Sequence, residues 1–223
     1  HELLHEVSQI EGIERIRYTS PHPQDFDDEL IEVHATNPKI CNHIHFPLQA
    51  GSDEVLDRMN RTYTKQHFLD LAQKMRDNIP GLALSTDMIV GFPGETEADF
   101  LETLDVMEQV KFDTAFTFKY SSRPGTKAAE FEDTVAEDDK QDRLQRMITM
   151  QREHTLLRNR EHIGERVEVL VEKNSKKSEN QHQGRTRSNK IVIFDKAGEQ
   201  PGDLVNVEIV DAQGITLFGR IVD

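Results

Sequence analysis

The segment Thr86–Phe100 (TDMIVGFPGETEADF) constrains the fold more than any other part of the sequence. A short apolar run stops at the turn sequence GFPG, and Thr96 then has the position of a helix cap before an acidic first turn. The apolar residues beyond it recur at helical spacing, at Phe100, Leu101, Leu104, Met107 and Val110. The segment predicts a strand, a tight turn and a helix, with the turn at the strand end where α/β barrels build binding sites. The alternative is an ordinary connecting loop whose glycines serve only the turn.

Four strand-like segments alternate with helical ones in the first half of the chain. They are Arg15–Thr19, His43–Leu48, Leu82–Val90 and Phe112–Tyr120. Strands that alternate with helices indicate crossover connections and a parallel sheet. A helical pattern at residues 1–11 precedes the first strand, and four strands alone do not close a barrel. We therefore expect an α/β fold that is part of a barrel, with its first strands missing from the amino-terminal side.

Polar and glycine residues follow each predicted strand, and parallel strands bring their carboxyl ends to one edge. The candidate site residues at this edge are Ser20, His22, Gln49, Ser52, Asp87, Gly91, Glu95, Tyr120 and Ser122. Asp87 is the most informative, because a carboxylate near the end of a buried strand costs free energy unless it is paired or takes part in a functional site. For Gln49 and Ser52 the alternative is that they cap the helix that follows Gly51.

The pattern changes after residue 133. Residues 134–163 predict a long helix, which Gly164 ends, and four segments then alternate with period 2. These are Arg166–Glu172, Ile191–Phe194, Leu204–Val210 and Ile215–Val222. Four or five short strands in so few residues indicate a small antiparallel β-barrel of the OB-like kind, which often binds single-stranded nucleic acid. The predicted domains are thus 1–133, a connecting helix 134–163 and 164–223.

The formal net charge of −14 is unevenly distributed. The residues before Gly164 carry −13 of it, whereas Lys173–Lys190 holds six basic residues against one acid, Glu179. Local charge decides where a phosphate backbone can bind. Arg185, Arg187 and Lys190 are therefore candidate RNA contacts, with a solvated loop as the alternative.

Other residues limit the possible chemistry. The single cysteine, Cys41, excludes an internal disulfide and an all-cysteine metal site, and a packed thiol is a better interpretation of it than a nucleophile. His43 and His45 are two residues apart without a neighbouring carboxylate, which favours hydrogen-bonded sheet residues over a metal site. No apolar run approaches a membrane span and no signal-peptide pattern is present, so we expect a cytoplasmic protein that does not bind a membrane.

Several motifs carry a resemblance to a known family. They are SPHPQDF at Ser20–Phe26, CNHIHFPLQAGSDEVLDRMNR at Cys41–Arg61, STDMIVGFPGETEADF at Ser85–Phe100, FDTAFTFKYSSRPGT at Phe112–Thr126, GRTRSNK at Gly184–Lys190 and LFGRIV at Leu217–Val222. With these motifs the chain resembles the C-terminal half of radical S-adenosylmethionine methylthiotransferases, most of all those that modify N6-dimethylallyladenosine in tRNA. Its last portion is similar to the TRAM domain, an RNA-binding β-barrel. The resemblance implies part of a (β/α)6 barrel followed by this domain.

The resemblance also implies cofactors: S-adenosylmethionine and two [4Fe–4S] clusters in the full-length proteins. The cluster cysteines of the family, including its CxxxCxxC loop, are absent from this chain, so we expect no metal ligand and no catalytic residue here and an inactive fragment. Ala50 replaces a serine of the family's PLQSGS motif. In the family's Gly-x-Ile-x-Gly-x-x-Glu pattern, Asp87 takes the place of the first glycine and Glu95 lies one residue late. The implied cofactor contacts are Ser20, His22, Gln49, Ser52, Asp87, Gly91, Glu95 and Tyr120.

The implied function is radical addition of a methylthio group to C2 of dimethylallyladenosine at position 37 of tRNA. The expected partners are the tRNA anticodon stem-loop and the missing N-terminal half, and the expected phosphate contacts are Arg185, Arg187, Lys190 and Arg220. One alternative is a methylthiotransferase for threonylcarbamoyladenosine in tRNA or for an aspartate of ribosomal protein S12. Another alternative is an RNA-binding module without catalysis.

Overall fold

The computed structural model describes residues 1–19 and 22–222, and the side chain of residue 25 is not described. Ser20, a predicted cofactor contact, lies outside the described residues. The α-helices are α1 (Glu2–Ser8), α2 (Asp28–Thr36), α3 (Asp53–Arg58), α4 (Lys65–Asn78), α5 (Glu97–Val110) and α6 (Glu137–Arg160). The strands are β1 (His43–His45), β2 (Ala83–Val90), β3 (Thr114–Lys119), β4 (Arg166–Asn174), β5 (Gln181–Thr186), β6 (Ile191–Asp195), β7 (Leu204–Gln213) and β8 (Thr216–Ile221). None of the described helices is long and apolar enough to cross a membrane.

Side-chain caps explain where several helices begin. The carboxylate of Asp27 accepts a hydrogen bond from Leu30 N at 2.8 Å, and Thr64 accepts one from His67 N at 3.2 Å. At the start of α5, Thr96 and Asp99 form a reciprocal capping box. Such caps bind backbone N–H groups that have no partner within the helix. The local sequence therefore determines these helix starts.

Strands β1, β2 and β3 form a parallel sheet in that order, with His43 opposite Ala83 and Ser85 opposite Thr114. The prediction of a further strand at Arg15–Thr19 is wrong. Only Ile16 pairs there, in a single parallel bridge to Ile40. The guanidinium groups of Arg15 and Arg17 donate hydrogen bonds to backbone carbonyls of the small barrel.

One face of the sheet is packed and the other is open. The helices and the sheet share a core with stacked aromatic rings, in which Phe46 and Phe68 have centroids 4.2 Å apart. On the opposite face, Phe116 and Phe118 of β3 are both 52% exposed. The outer side of β3 therefore presents apolar rings to water.

The small barrel is closed, with strand order β4-β5-β6-β8-β7. Its pairs are antiparallel except for β6 and β8, which run parallel, so an entirely antiparallel barrel is the wrong description. The last strand, β8, pairs antiparallel with β7, which precedes it in the chain. On its other side β8 lies next to β6, and these two strands run in the same direction. The barrel has its own core of Val169, Val171, Val192, Phe194, Val207, Ile209, Ala212 and Leu217.

Candidate functional site

A cleft of about 880 Å³ lies at the carboxyl ends of β2 and β3. We call it the rim cleft and define it by Gln49, Asp87, Phe92, Phe118 and Tyr120, which all line it. Parallel strands place their carboxyl ends together, and crevices at that edge are where open and closed α/β sheets bind ligands. Three predicted cofactor contacts, Gln49, Asp87 and Tyr120, are thus brought together in one cleft.

Gln49 has an unusual backbone for a residue other than glycine. Its φ is 69°, in the left-handed region, and the residue is 9% exposed. Its backbone continues the sheet, because Gln49 N donates to Asp87 O at 2.8 Å and Gln49 O accepts from Ile89 N at 2.9 Å. Its side-chain amide makes no hydrogen bond to any residue that the structure describes. Strained backbone of this kind is concentrated at ligand sites, and the free amide lines the cleft.

A line of polar side chains runs from the rim cleft along the open face of the sheet. Asp87 Oδ2 lies 3.2 Å from His45 Nε2, and His45 Nδ1 lies 2.9 Å from Ser85 Oγ. Ser85 Oγ is in turn 3.0 Å from His43 Nε2. Burial, helped by the charge of Arg17, lowers the pKa of His43 to about 4. The two histidines are hydrogen-bonded sheet residues, and the described residues include no cluster of three or more potential metal ligands.

The loop after β2 is built against α6. Gly91 has a φ of +71°, and a Cβ on it would lie 2.3 Å from Cγ of Lys140, so the glycine lets the α6 side chain approach. Glu95 is 5% exposed and accepts hydrogen bonds from Gly91 N at 2.9 Å and from Arg143 at 2.8 Å. Burial raises the pKa of Glu95, and the bonds from Gly91 and Arg143 oppose this rise. All described contacts of Glu95 are internal, and as cofactor contacts Gly91 and Glu95 stay predictions.

The remaining predicted cofactor contacts, Ser52 and His22, lie outside the cleft lining. Ser52 is 2% exposed, donates to Asp99 Oδ1 at 2.5 Å and caps α3 through Val55 N. His22 caps the short helical turn after it and packs edge-on against Tyr63, with ring centroids 5.6 Å apart. For Ser52, the structure favours the helix-capping alternative.

The predicted RNA contacts on the small barrel fall into two groups. Lys190 is buried and its ammonium is 2.6 Å from Asp113 and 3.0 Å from Asn159. A phosphate contact requires an exposed cation, so this placement contradicts the prediction for Lys190. The other three are more accessible: Arg187 donates to Ile40 O at 2.7 Å, Arg185 lies 3.3 Å from Glu172, and Arg220 pairs with Glu208 at 2.8 Å.

Sequence reasoning missed a second group of basic residues, which lines the rim cleft. This group is Arg58, Arg61, Lys119, Arg123 and Lys127. They lie in two stretches, 58–61 and 119–127, and neutral residues separate them within each stretch, so a search for runs of positive charge does not find them. The signal that was available is their position just after predicted strand and helix ends, in MNR and in KYSSRPGTK.

Comparisons with known proteins agree with this architecture. The Radical SAM superfamily matches residues 1–107, and the TRAM domain matches residues 160–222. The solved structure of coproporphyrinogen III oxidase (HemN) from Escherichia coli, a radical SAM enzyme, aligns with a TM-score of 0.52 and 15% identity over 74% of this chain and 45% of that chain. At this identity the likeness shows the fold alone.

Curated relatives match along almost the whole sequence. The tRNA-2-methylthio-N(6)-dimethylallyladenosine synthase of Thermoanaerobacter sp. (strain X514) is 48% identical over 221 residues, which are 99% of this chain and 47% of the relative. The synthase of the same name from Acetivibrio thermocellus is 49% identical over 221 residues, 99% of this chain and 46% of the relative. The chain spans about half the length of the curated relatives it matches.

Proposed function

We propose that the chain is the C-terminal half of a radical SAM methylthiotransferase for dimethylallyladenosine at position 37 of tRNA, and that it ends in a TRAM domain. The observation that carries the proposal is identity near 48% along 99% of the chain to synthases named for that product. The motifs from which the resemblance was drawn lie within these matches, so the comparison confirms the resemblance. We place the enzyme in the cytoplasm, where tRNA is its substrate.

We infer that the rim cleft holds S-adenosylmethionine. Clefts of 300–1,000 Å³ suit ligands of this size, and the cleft volume of about 880 Å³ lies in that range. The free amide of Gln49 and the carboxylate of Asp87, whose side chain is 33% exposed, supply polar groups, and Tyr120 supplies an aromatic wall. When bound beside a reduced iron–sulfur cluster, S-adenosylmethionine supplies the radical chemistry. The chain's own residues orient the ligand and keep water from it.

The iron–sulfur clusters do not fit the residues of this chain. A [4Fe–4S] cluster is held by cysteine thiolates, and the single cysteine, Cys41, is 2% exposed. We therefore assign both clusters to a segment N-terminal to this one. The open face with Phe116 and Phe118 supports a further layer on the sheet, completing a (β/α)6 barrel. The 223 residues alone should then be inactive.

We assign tRNA binding in part to the small barrel, which we take to be OB-like. Arg185, Arg187 and Arg220 stay proposed phosphate contacts, because Arg220 is exposed and the other two are half-buried. The anticodon stem-loop is the proposed ligand, since position 37 lies there. Lys190 is excluded from this set by its buried ion pair with Asp113.

Deletion of the gene tests the proposed substrate. Mass spectrometry of tRNA nucleosides should show loss of the methylthio group from isopentenyladenosine, with the unmodified isopentenyl nucleoside in its place. Methylthio-threonylcarbamoyladenosine and the S12 aspartate should be unchanged, and they are the internal controls. Loss of either control modification with retention of the isopentenyl product would assign the enzyme to the other substrate.

A further inference from the structure

The basic group of the rim cleft differs in charge from the rest of the molecule. Its five cations, named above, face two acids, Asp57 and Asp87, around the same cleft. The chain as a whole carries a formal charge of −14. Like charges repel one another, so five basic side chains around one opening are unfavourable without an anionic partner. The cleft therefore has a local excess of positive charge on an acidic protein, which favours an anionic group of a ligand.

Two of the five cations already have partners. Arg58 donates to Pro93 O at 3.0 Å, and Lys119 forms an ion pair with Glu137. Arg123 and Lys127 are exposed, and their side chains make no hydrogen bond or ion pair with the residues that the structure describes. Within the same described part, Arg61 Nε is buried without a hydrogen-bond partner. These three cations are available to a ligand.

Aromatic rings accompany the charges. Phe118 is 52% exposed on the cleft wall, and the rings of Phe92 and Tyr120 meet edge-on with centroids 5.1 Å apart. Single-stranded nucleic acids bind where a basic groove meets aromatic faces, because phosphates pair with the cations and bases stack on the rings. An acidic peptide would use the charges but leave the rings unused. The combination favours a nucleic-acid strand.

We propose that Arg61, Arg123 and Lys127 bind phosphates of the RNA strand that brings the target nucleotide into the rim cleft. This deepens the proposed function and rests on it, since it names the residues that hold the substrate. The small barrel contacts the sheet at its other end, through Asp113, which directly precedes β3. Strand β2 has eight residues, about 26 Å at the usual rise. The rim contacts are thus separate from those of the small barrel.

The test is the salt dependence of RNA binding. Fluorescence anisotropy would measure Kd for a labelled anticodon stem-loop RNA from 50 to 200 mM KCl, with the 223-residue chain and its Arg123→Ala/Lys127→Ala variant. Each phosphate contact to a single strand adds about 0.7 to the salt slope, so the variant's slope should be smaller by about 1.4. Over that range the parent should therefore lose about sevenfold more affinity than the variant.

A control variant shows whether a change in the salt slope is specific to the basic residues of the rim cleft. Arg152→Ala/Lys196→Ala removes the same charge from two exposed residues outside the cleft, and its slope should equal that of the parent. Both double variants should keep the parent's melting temperature, because their side chains make no hydrogen bond or ion pair within the described structure.

Three results would overturn the proposal: no RNA binding by the parent chain, the parent's slope in the cleft variant, or displacement of RNA by polyglutamate as readily as by unlabelled RNA. The nucleoside analysis tests the proposed enzymatic activity independently of the salt slope. Retention of the methylthio nucleoside after gene deletion refutes the enzyme, whereas an unchanged salt slope refutes only this assignment of residues.

Discussion

His43 couples the stability of the fold to pH. Burial lowers its pKa to about 4, whereas an unfolded histidine titrates near 6.5. Between these values the unfolded chain binds a proton that the folded chain does not, so stability falls as the pH drops from 7 toward 4. At pH 5 this residue should lower the free energy of unfolding by about 2 kcal/mol relative to pH 7. Arg17 lowers the pKa further, and Asp113 opposes it.

Urea unfolding at pH 7 and pH 5 measures this contribution. In His43→Gln the loss of stability between the two pH values should be smaller than in the parent by about 2 kcal/mol. His5→Gln is the control, because His5 is exposed, and it should keep the parent's pH dependence. Equal pH dependence in the parent and in His43→Gln would show that His43 does not stay neutral in the fold.

At the scale of elements, a buried ion pair joins the small barrel to the sheet. The ammonium of Lys190 and the carboxylate of Asp113 are 2.6 Å apart, with side chains 6% and 10% exposed. Removing one partner of a buried pair leaves an uncompensated charge. Lys190→Met should therefore lower the free energy of unfolding by about 3 kcal/mol, and Lys190→Met/Asp113→Asn by less.

Urea denaturation measures both variants. Arg220→Ala is the comparison, because its pair with Glu208 is exposed and exposed pairs contribute little. A Lys190→Met variant as stable as the parent would mean that the ammonium is hydrated rather than buried against Asp113.

The elements that sequence reasoning predicted are those with local signals. The capping box at Thr96 sets the start of α5, whereas α6 ends at Arg160, four residues before the predicted stop at Gly164. The strand predicted at Arg15–Thr19 is reduced to one bridge at Ile16, and the contacts of its arginines with the small barrel, far away in the sequence, have no local signal. Strand β5 was not delimited, since its residues QHQGRT carry no apolar alternation. The burial of Lys190 has no local signal, because it depends on Asp113.

The candidate site residues that were predicted from the sequence also have a local signal. Gln49, Asp87 and Tyr120 were predictable because each lies near the carboxyl end of a predicted strand, and parallel topology brings such positions together. The basic residues of the rim cleft were not predicted, since they come from two separate stretches, 58–61 and 119–127, that meet only in the folded chain. Charge summed along the sequence favoured Lys173–Lys190, whereas the structure shows a second concentration at the rim.

At the scale of the whole molecule, the two ends of the sheet have different partners. The carboxyl ends of the strands open into the rim cleft, and the small barrel is attached beside their amino ends through Lys190 and Arg187. This arrangement separates the proposed reaction site in the rim cleft from the proposed tRNA-binding surface of the small barrel. An RNA held at both places would be fixed at two points, which raises the effective concentration of its target nucleotide at the cleft.

The most direct test of the central claim is complementation of the deletion strain with variants of the full-length gene. The methylthio-isopentenyladenosine content of tRNA should be restored by the parent gene. A gene carrying Gln49→Ala/Asp87→Asn in the rim cleft should lower this content at least about tenfold. The reason is that a displacement of the bound cofactor by about 1 Å slows the reaction by a large factor. Arg152→Ala, made at equal protein level, should restore the parent's content. Full restoration by the cleft variant would contradict the claim that the reaction takes place in this cleft.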